Sequence, residues 1–176
     1  MTRSPGLIPG NAPHAMLLAL IRHGIAEDPG PATGYRDEER RLTDKGIARM
    51  RVQARGIARL GVRPEVIHSS PLIRCRQTAE ILSQVLDAPV AVHDGLRPGA
   101  RVEDVLHLVA GSPDAECVMC CGHQPDMSVI TADLIAGGLV EYRKGSLGLV
   151  RLLGPRPGGA VLEALLTPAA LRRMGR

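Results

Sequence analysis

The chain has no Trp and no Phe, and its only Tyr residues are Tyr35 and Tyr142. Its core must therefore come from Leu, Val, Ile, Ala and Met, and base stacking on aromatic platforms is excluded as a recognition mode. Lysine is nearly missing too: Lys45 and Lys144 are the only two among 22 Lys and Arg residues. Positive charge is thus carried by arginine, whose planar fork suits phosphate, but the arginines are scattered along the chain. A net charge of +4 is an ordinary solubility charge, so no nucleic-acid partner is expected. Long apolar runs are absent. The run at 15–21 is too short to span a bilayer and leads straight into Arg22 with no small-residue cleavage site, which implies no membrane partner and a cytoplasmic location.

Cysteine is scarce as well, with Cys75, Cys117, Cys120 and Cys121 only. Cys117 and Cys120 have CxxC spacing, but no second pair or His-x-x-x-His follows, and on a strand the two would face opposite ways. They read as small core hydrophobes, with no oxidising compartment required.

What is present is a normal globular balance, 44% hydrophobic and 23% charged over 176 residues. That length suits one domain, expected over 16–176, preceded by a flexible Pro/Gly/Asn-rich tail over 1–15, with Met16, the first residue after it, as an alternative start. Apolar runs then alternate with helical patterns, the mark of a layered α/β fold. Strands are expected at 16–21, 66–69, 90–92, 117–121, 147–153 and 161–166. Helices are expected at 43–60 behind the N-cap Thr43, from Pro71 to about 86, at 102–110, and from Pro125 to 136. Residues 28–35, rich in Pro and Gly, read as a loop, and 171–176 as a solvated end.

Two histidines stand in matching places, His23 just past the first strand and His123 just past the fourth, each beside a glycine. Crevices beyond the carboxyl ends of strands are where open α/β sheets bind ligands. Arg22 precedes His23 directly. Arg74 falls in the first turn of a helix that starts where a strand ends, where free N–H groups already favour an anion.

Leu20-Ile21-Arg22-His23-Gly24 resembles the RHG motif of the histidine phosphatase superfamily. The segment from Ser69-Ser70-Pro71 through Arg74 to Gln77-Thr78-Ala79-Glu80 is similar to that family's SSPxxRxxQTAE, and Gly122-His123 matches its second histidine. The resemblance runs from Met16 to the C-terminus. It implies a phosphoglycerate-mutase-like fold, a three-layer α/β/α sandwich with a mostly parallel central sheet. The small size, with Arg40-Arg41-Leu42-Thr43-Asp44-Lys45-Gly46, Leu96-Arg97-Pro98-Gly99 and Leu166-Thr167-Pro168, resembles the SixA-type phosphohistidine phosphatase branch. The resemblance makes His23 the nucleophile that carries a phosphoryl group. It makes Arg22, Arg74 and His123 binders of the phosphoryl oxygens, and Arg40 a further phosphate-facing residue. It implies no metal and no cofactor.

The chemistry agrees, since a neutral imidazole with a reference pKa of about 6.5 is a competent nucleophile and fixed cations stabilise the transferring group. The general acid is missing from its usual place. Many phosphomonoesterases of the family carry a glutamate near position 96, and here Arg97 stands there. Asp37, Glu27, Glu103 and Asp104 are alternative candidates, although Glu103 and Asp104 also suit a helix N-terminus. An imidazole leaves phosphorus far more readily than an alkoxide, so a site without a strong acid suits P–N cleavage. The expected substrate is phosphohistidine on a phosphotransfer or phosphocarrier protein. The alternatives are a broad small-molecule phosphomonoesterase and a silent phospho-ligand binder.

Overall fold

The computed structural model describes residues 15–30, 34 and 36–176. The tail expected over 1–15 lies, apart from Ala15, outside the described residues, as do 31–33 and 35 of the expected loop. Six strands form one sheet in the order β3-β2-β4-β1-β5-β6. They are β1 (Met16–Arg22), β2 (Val66–Ser69), β3 (Val90–Val92), β4 (Cys117–Gly122), β5 (Leu147–Leu152) and β6 (Ala160–Leu166). Strands β3, β2, β4 and β1 run parallel, whereas β5 is antiparallel to both β1 and β6. The apolar run of β1 is buried from Leu17 to Ile21 because neighbours pair on both edges and helices cover both faces.

Side-chain alternation along β1 and β4 divides the core. Leu17, Ala19, Ile21, Met119 and Cys121 pack under α1 (Asp44–Arg59), α2 (Ile73–Leu86) and α5 (Pro168–Met174). Leu18, Leu20, Val118 and Cys120 face α3 (Val102–Ala110) and α4 (Asp126–Leu134) on the other side. The result is the three-layer α/β/α arrangement. Cys117 and Cys120 lie on opposite faces, and all four cysteines are free and buried.

Helix α1 starts as its sequence directs: the Thr43 hydroxyl accepts from the Gly46 N–H at 2.9 Å, and Met50, Ala54 and Ile57 form the buried stripe. Two proline expectations shift. Helix α2 begins at Ile73 with Leu72 as N-cap, so Pro71 precedes the helix rather than opening it. Pro125 is the N-cap of α4, which stops at Leu134, short of Ala136. The expected solvated end is instead α5, capped by the Thr167 hydroxyl, with Leu171 fully buried against α1. Among the described residues, no helix is long and apolar enough to cross a membrane.

Register brings the functional ends together. Arg22 on β1 lies level with Gly122 on β4, and Ser69 on β2 level with Cys121. The chains leaving all three strands therefore emerge side by side at the carboxyl edge of the sheet. The His23 N–H donates to the Gly122 carbonyl at 3.1 Å, and the Ser70 N–H to Cys121 at 3.1 Å.

Candidate active site

At that edge Arg22, His23, Arg40, Arg74 and His123 line a single cavity of about 220 Å3, together with Asp37, Pro98, Gln124 and Lys144. The two imidazole centroids are 5.6 Å apart with the rings tilted by 59°. Residues more than fifty positions apart in the chain are thus placed around one small polar space.

His23 is held by its own turn. Its Nδ1 is 2.7 Å from the Gly24 carbonyl, which can only accept, so Nδ1 carries the hydrogen and Nε2 the lone pair. Burial is the main influence on the ring. Its effect is partly offset by the Gly24 carbonyl and reinforced by Arg74, His123 and Arg22, and together they lower the pKa to about 3. The imidazole is therefore neutral at physiological pH. Glycine at 24 lets Met50 pack close, since a Cβ there would lie 2.7 Å from that side chain and force it to shift. Its N–H donates to the Thr78 hydroxyl at 3.1 Å, and that hydroxyl donates to the Arg74 carbonyl at 2.7 Å. The Gln77-Thr78 pair of α2 thus ties the histidine turn to the helix that carries Arg74, while the Gln77 side-chain oxygen accepts from the Leu42 N–H at 2.7 Å.

The second histidine has the opposite tautomer. Arg74 Nη2 is 3.2 Å from His123 Nδ1, and a guanidinium can only donate, so Nδ1 accepts and Nε2–H donates to the Ser70 hydroxyl at 2.8 Å. Cys75 floors this ring, with Sγ 3.5 Å from Nε2.

Arg74 is 4% exposed, and Asp37 grips its guanidinium twice: the Asp37 carbonyl accepts from Nη1 at 2.6 Å and Oδ2 from Nη2 at 3.0 Å. The other carboxylate oxygen of Asp37 accepts from Arg40 Nη1 at 2.8 Å. One carboxylate therefore aligns two arginine forks. Partial burial alone would raise the Asp37 pKa, but Arg40 and Arg74 outweigh it and hold the carboxyl below its usual range. Asp37 reaches the cavity as an ion-pair partner, and protonating it would break both pairs. Glu103 sits exposed in the first turn of α3, away from the cavity lining; Asp104 beside it is half-buried, also outside the lining, and its carboxylate accepts from the Arg101 N–H. Glu27 contributes only its carbonyl, which accepts from Arg40 Nε.

Arg22 leans the other way. Its Nη1 donates to the Tyr142 carbonyl at 2.8 Å. Tyr142 is buried and its hydroxyl meets Thr131 at 2.9 Å, with Gly148 leaving room for the ring. Nε of both Arg22 and Arg74 is buried without a hydrogen-bond partner, which leaves two unsatisfied N–H donors beside the cavity. The segment after Tyr142 wraps the end of β1: the Gly145 N–H donates to the Arg22 and His23 carbonyls at 3.1 and 3.0 Å. Gly145 has φ +85° and lies against Gln53, so a side chain is barred there twice over. This wrap delivers Lys144 to the cavity. Lys144 and Gln124 have no motif or period of their own, the only sequence signal being that Gln124 follows His123, whereas Pro98 belongs to the Leu96-Arg97-Pro98-Gly99 stretch already singled out.

Among the described residues, no three His, Cys, Asp or Glu side chains are grouped to hold a metal ion. Arrayed around this cavity are four cations, one doubly paired carboxylate, and a neutral imidazole whose Nε2 carries a lone pair.

The profile of the Histidine phosphatase superfamily (branch 1) matches residues 18–98, from within β1 to the cavity residue Pro98. An uncharacterised protein of Picosynechococcus sp. is 37% identical over 153 residues, covering 85% of this chain and 90% of that protein. The crystal structure assigned to phosphohistidine phosphatase SixA of Agrobacterium tumefaciens is 26% identical, with a TM-score of 0.72 over 87% of this chain and 98% of that one. The protein histidine phosphatase SixA solved with tungstate superposes with a TM-score of 0.78 at 24% identity, over 89% of this chain and 99% of that one, which shows a shared fold.

Proposed function

Because the chain belongs to the histidine phosphatase superfamily (branch 1), with SixA-type proteins among its structural relatives, we propose that it is a phosphatase that hydrolyses phosphohistidine on a phosphotransfer or phosphocarrier protein. His23 Nε2 attacks phosphorus, and the P–N bond to the partner's histidine breaks. The electron pair goes to the departing imidazole nitrogen, which takes its proton from solvent. Water then attacks phosphorus on His23, releasing inorganic phosphate and restoring the free imidazole. Arg22 and Arg74 hold the phosphoryl oxygens, with Arg40 behind them, and His123 joins them by turning its Nε2–H from the Ser70 hydroxyl to an oxygen. Charge on those oxygens is met by preorganised donors in place of a metal ion or cofactor.

The observation that carries the substrate class is the state of Asp37. Every Asp and Glu of the chain lies among the described residues, and Asp37 is the one that lines the cavity. Both its oxygens serve arginines, so it is a poor proton donor. An imidazole leaving group, with a reference pKa of about 6.5, needs little protonation help, whereas an alkoxide needs much. The four free cysteines support a reducing compartment, the cytoplasm.

Turnover of a phosphohistidine protein and of a panel of sugar phosphates, measured side by side on one preparation, tests this. The expected result is a kcat/KM for the phosphoprotein at least about a hundredfold higher. Equal or better hydrolysis of the esters would assign the site to small-molecule phosphomonoesters instead.

A further inference from the structure

A second cavity, larger than the catalytic one at about 390 Å3 against 220 Å3, lies beside it, and Lys144 lines both. Its wall gathers positive charge from three separate parts of the chain: Arg49 on α1, Arg143 and Lys144 on the segment before β5, and Arg172 on α5. No Asp or Glu lines it, and none of these four side chains is in a hydrogen bond or ion pair with any described residue. Carboxylates do pair with arginines elsewhere, as Glu39 does with Arg36 and Glu163 with Arg151, but none is placed against this cavity. Like charges gathered without a counterion repel one another, and the fold tolerates this only at the cost of some stability. Arg172 shows the effect: burial first, then Arg49 and Arg176, lower its pKa from the usual arginine value.

We infer that this cavity docks an acidic segment of the substrate protein, whose carboxylates pair with Arg49, Arg143, Lys144 and Arg172 while its phosphohistidine enters the neighbouring site. The inference rests on the function proposed above and specifies the partner's chemistry. Arg49, Lys144 and Arg172 are half-buried and Arg143 is exposed, so the cations ring an open cavity rather than converge on one enclosed point. That arrangement fits several carboxylates spread along a chain better than one small tetrahedral ion. Guanidinium forks favour planar carboxylates in bidentate pairs. Lys144, which lines both cavities, makes the docked segment a direct neighbour of the phosphoryl site.

The test uses Arg49→Glu and Arg172→Glu, neither of which lines the catalytic cavity. Substrates are a histidine phosphotransfer domain phosphorylated with phosphoramidate, and free phosphohistidine. Binding of hexaglutamate, with pyrophosphate as a compact-anion control, is measured in parallel. The expected result is a KM for the phosphoprotein raised about tenfold or more with kcat unchanged, and free phosphohistidine turned over within about twofold of the parent. The parent's KM should rise with salt, the variants' much less, and hexaglutamate should bind the parent alone. Unchanged KM in both variants overturns the inference. So does an equal loss on free phosphohistidine, or pyrophosphate binding the cavity where hexaglutamate does not. A parent inactive on both phosphohistidine substrates overturns the proposed function and the docking role with it. That failure is told apart from failure of the docking alone, in which the parent works and the variants match it.

Discussion

Asp37 joins the two forks to each other, with Arg40 on one oxygen and Arg74 on the other. If its task is alignment, Asp37→Ala should lower kcat/KM about tenfold through misplaced guanidinia. Asp37→Asn should recover most of that, because an amide oxygen still accepts from one fork. If Asp37 were the proton donor, Asn would be as poor as Ala, and steady-state kinetics of the pair decides. This role was not legible in the sequence. Asp37 stands out there only as an acid in a loop, and its bond to a residue 37 positions away is a tertiary fact. Arg22, His23, Arg74 and His123 were legible because each sits at a strand end, or for Arg74 in the first turn of the helix that follows one, inside a recognisable local pattern. Lys144 was not, since it reaches the cavity only through the wrap held by Gly145 and Gln53.

Between elements, the closest packing joins α1 and α5. A Cβ at Gly56 would lie 2.1 Å from the Leu171 carbonyl oxygen, and one at Gly175 would lie 1.8 Å from that of Val52. Gly→Ala inside a helix ordinarily stabilises by about 1 kcal/mol. Here the obstacle is backbone, which cannot step aside as a side chain does. Gly56→Ala should therefore destabilise, by about 2 kcal/mol, or roughly 4–8 °C in Tm for a chain of this size. Thermal denaturation reads it, and an unchanged or higher Tm would mean that α5 does not dock as described. Helix α5 escaped sequence reading because it is short and arginine-rich, with Leu171 its one buried residue. Its Thr167-Pro168 start was nevertheless a helix-opening signal. The sheet was legible strand by strand, because apolar runs of this length have few other uses. The order of its strands depends on crossovers, which local sequence does not encode.

Over the whole molecule, two buried histidines make the fold acid-sensitive. Burial chiefly, with nearby positive groups, lowers His23 to about 3, and burial with the adjacent His93 lowers His68 to about 4. Between those values and the unfolded value of about 6.5, the unfolded chain binds protons that the native state refuses. Their stabilisation is complete above about pH 6.5 and is lost as pH falls toward 3–4. Tm should fall steadily from about pH 6.5 to 4.5, and less steeply in His23→Ala. A flat profile would mean that these rings accept protons in the folded state.

The central claim is that His23 carries the phosphoryl group, and rapid quenching with a 32P-phosphohistidine protein tests it most directly. The account predicts an enzyme-bound label that survives base and is lost in acid, maps to His23, and is absent from His23→Ala while His123→Ala still forms it at a reduced rate. Inorganic phosphate released with no enzyme-bound label at any quench time, or label on another residue, would contradict it.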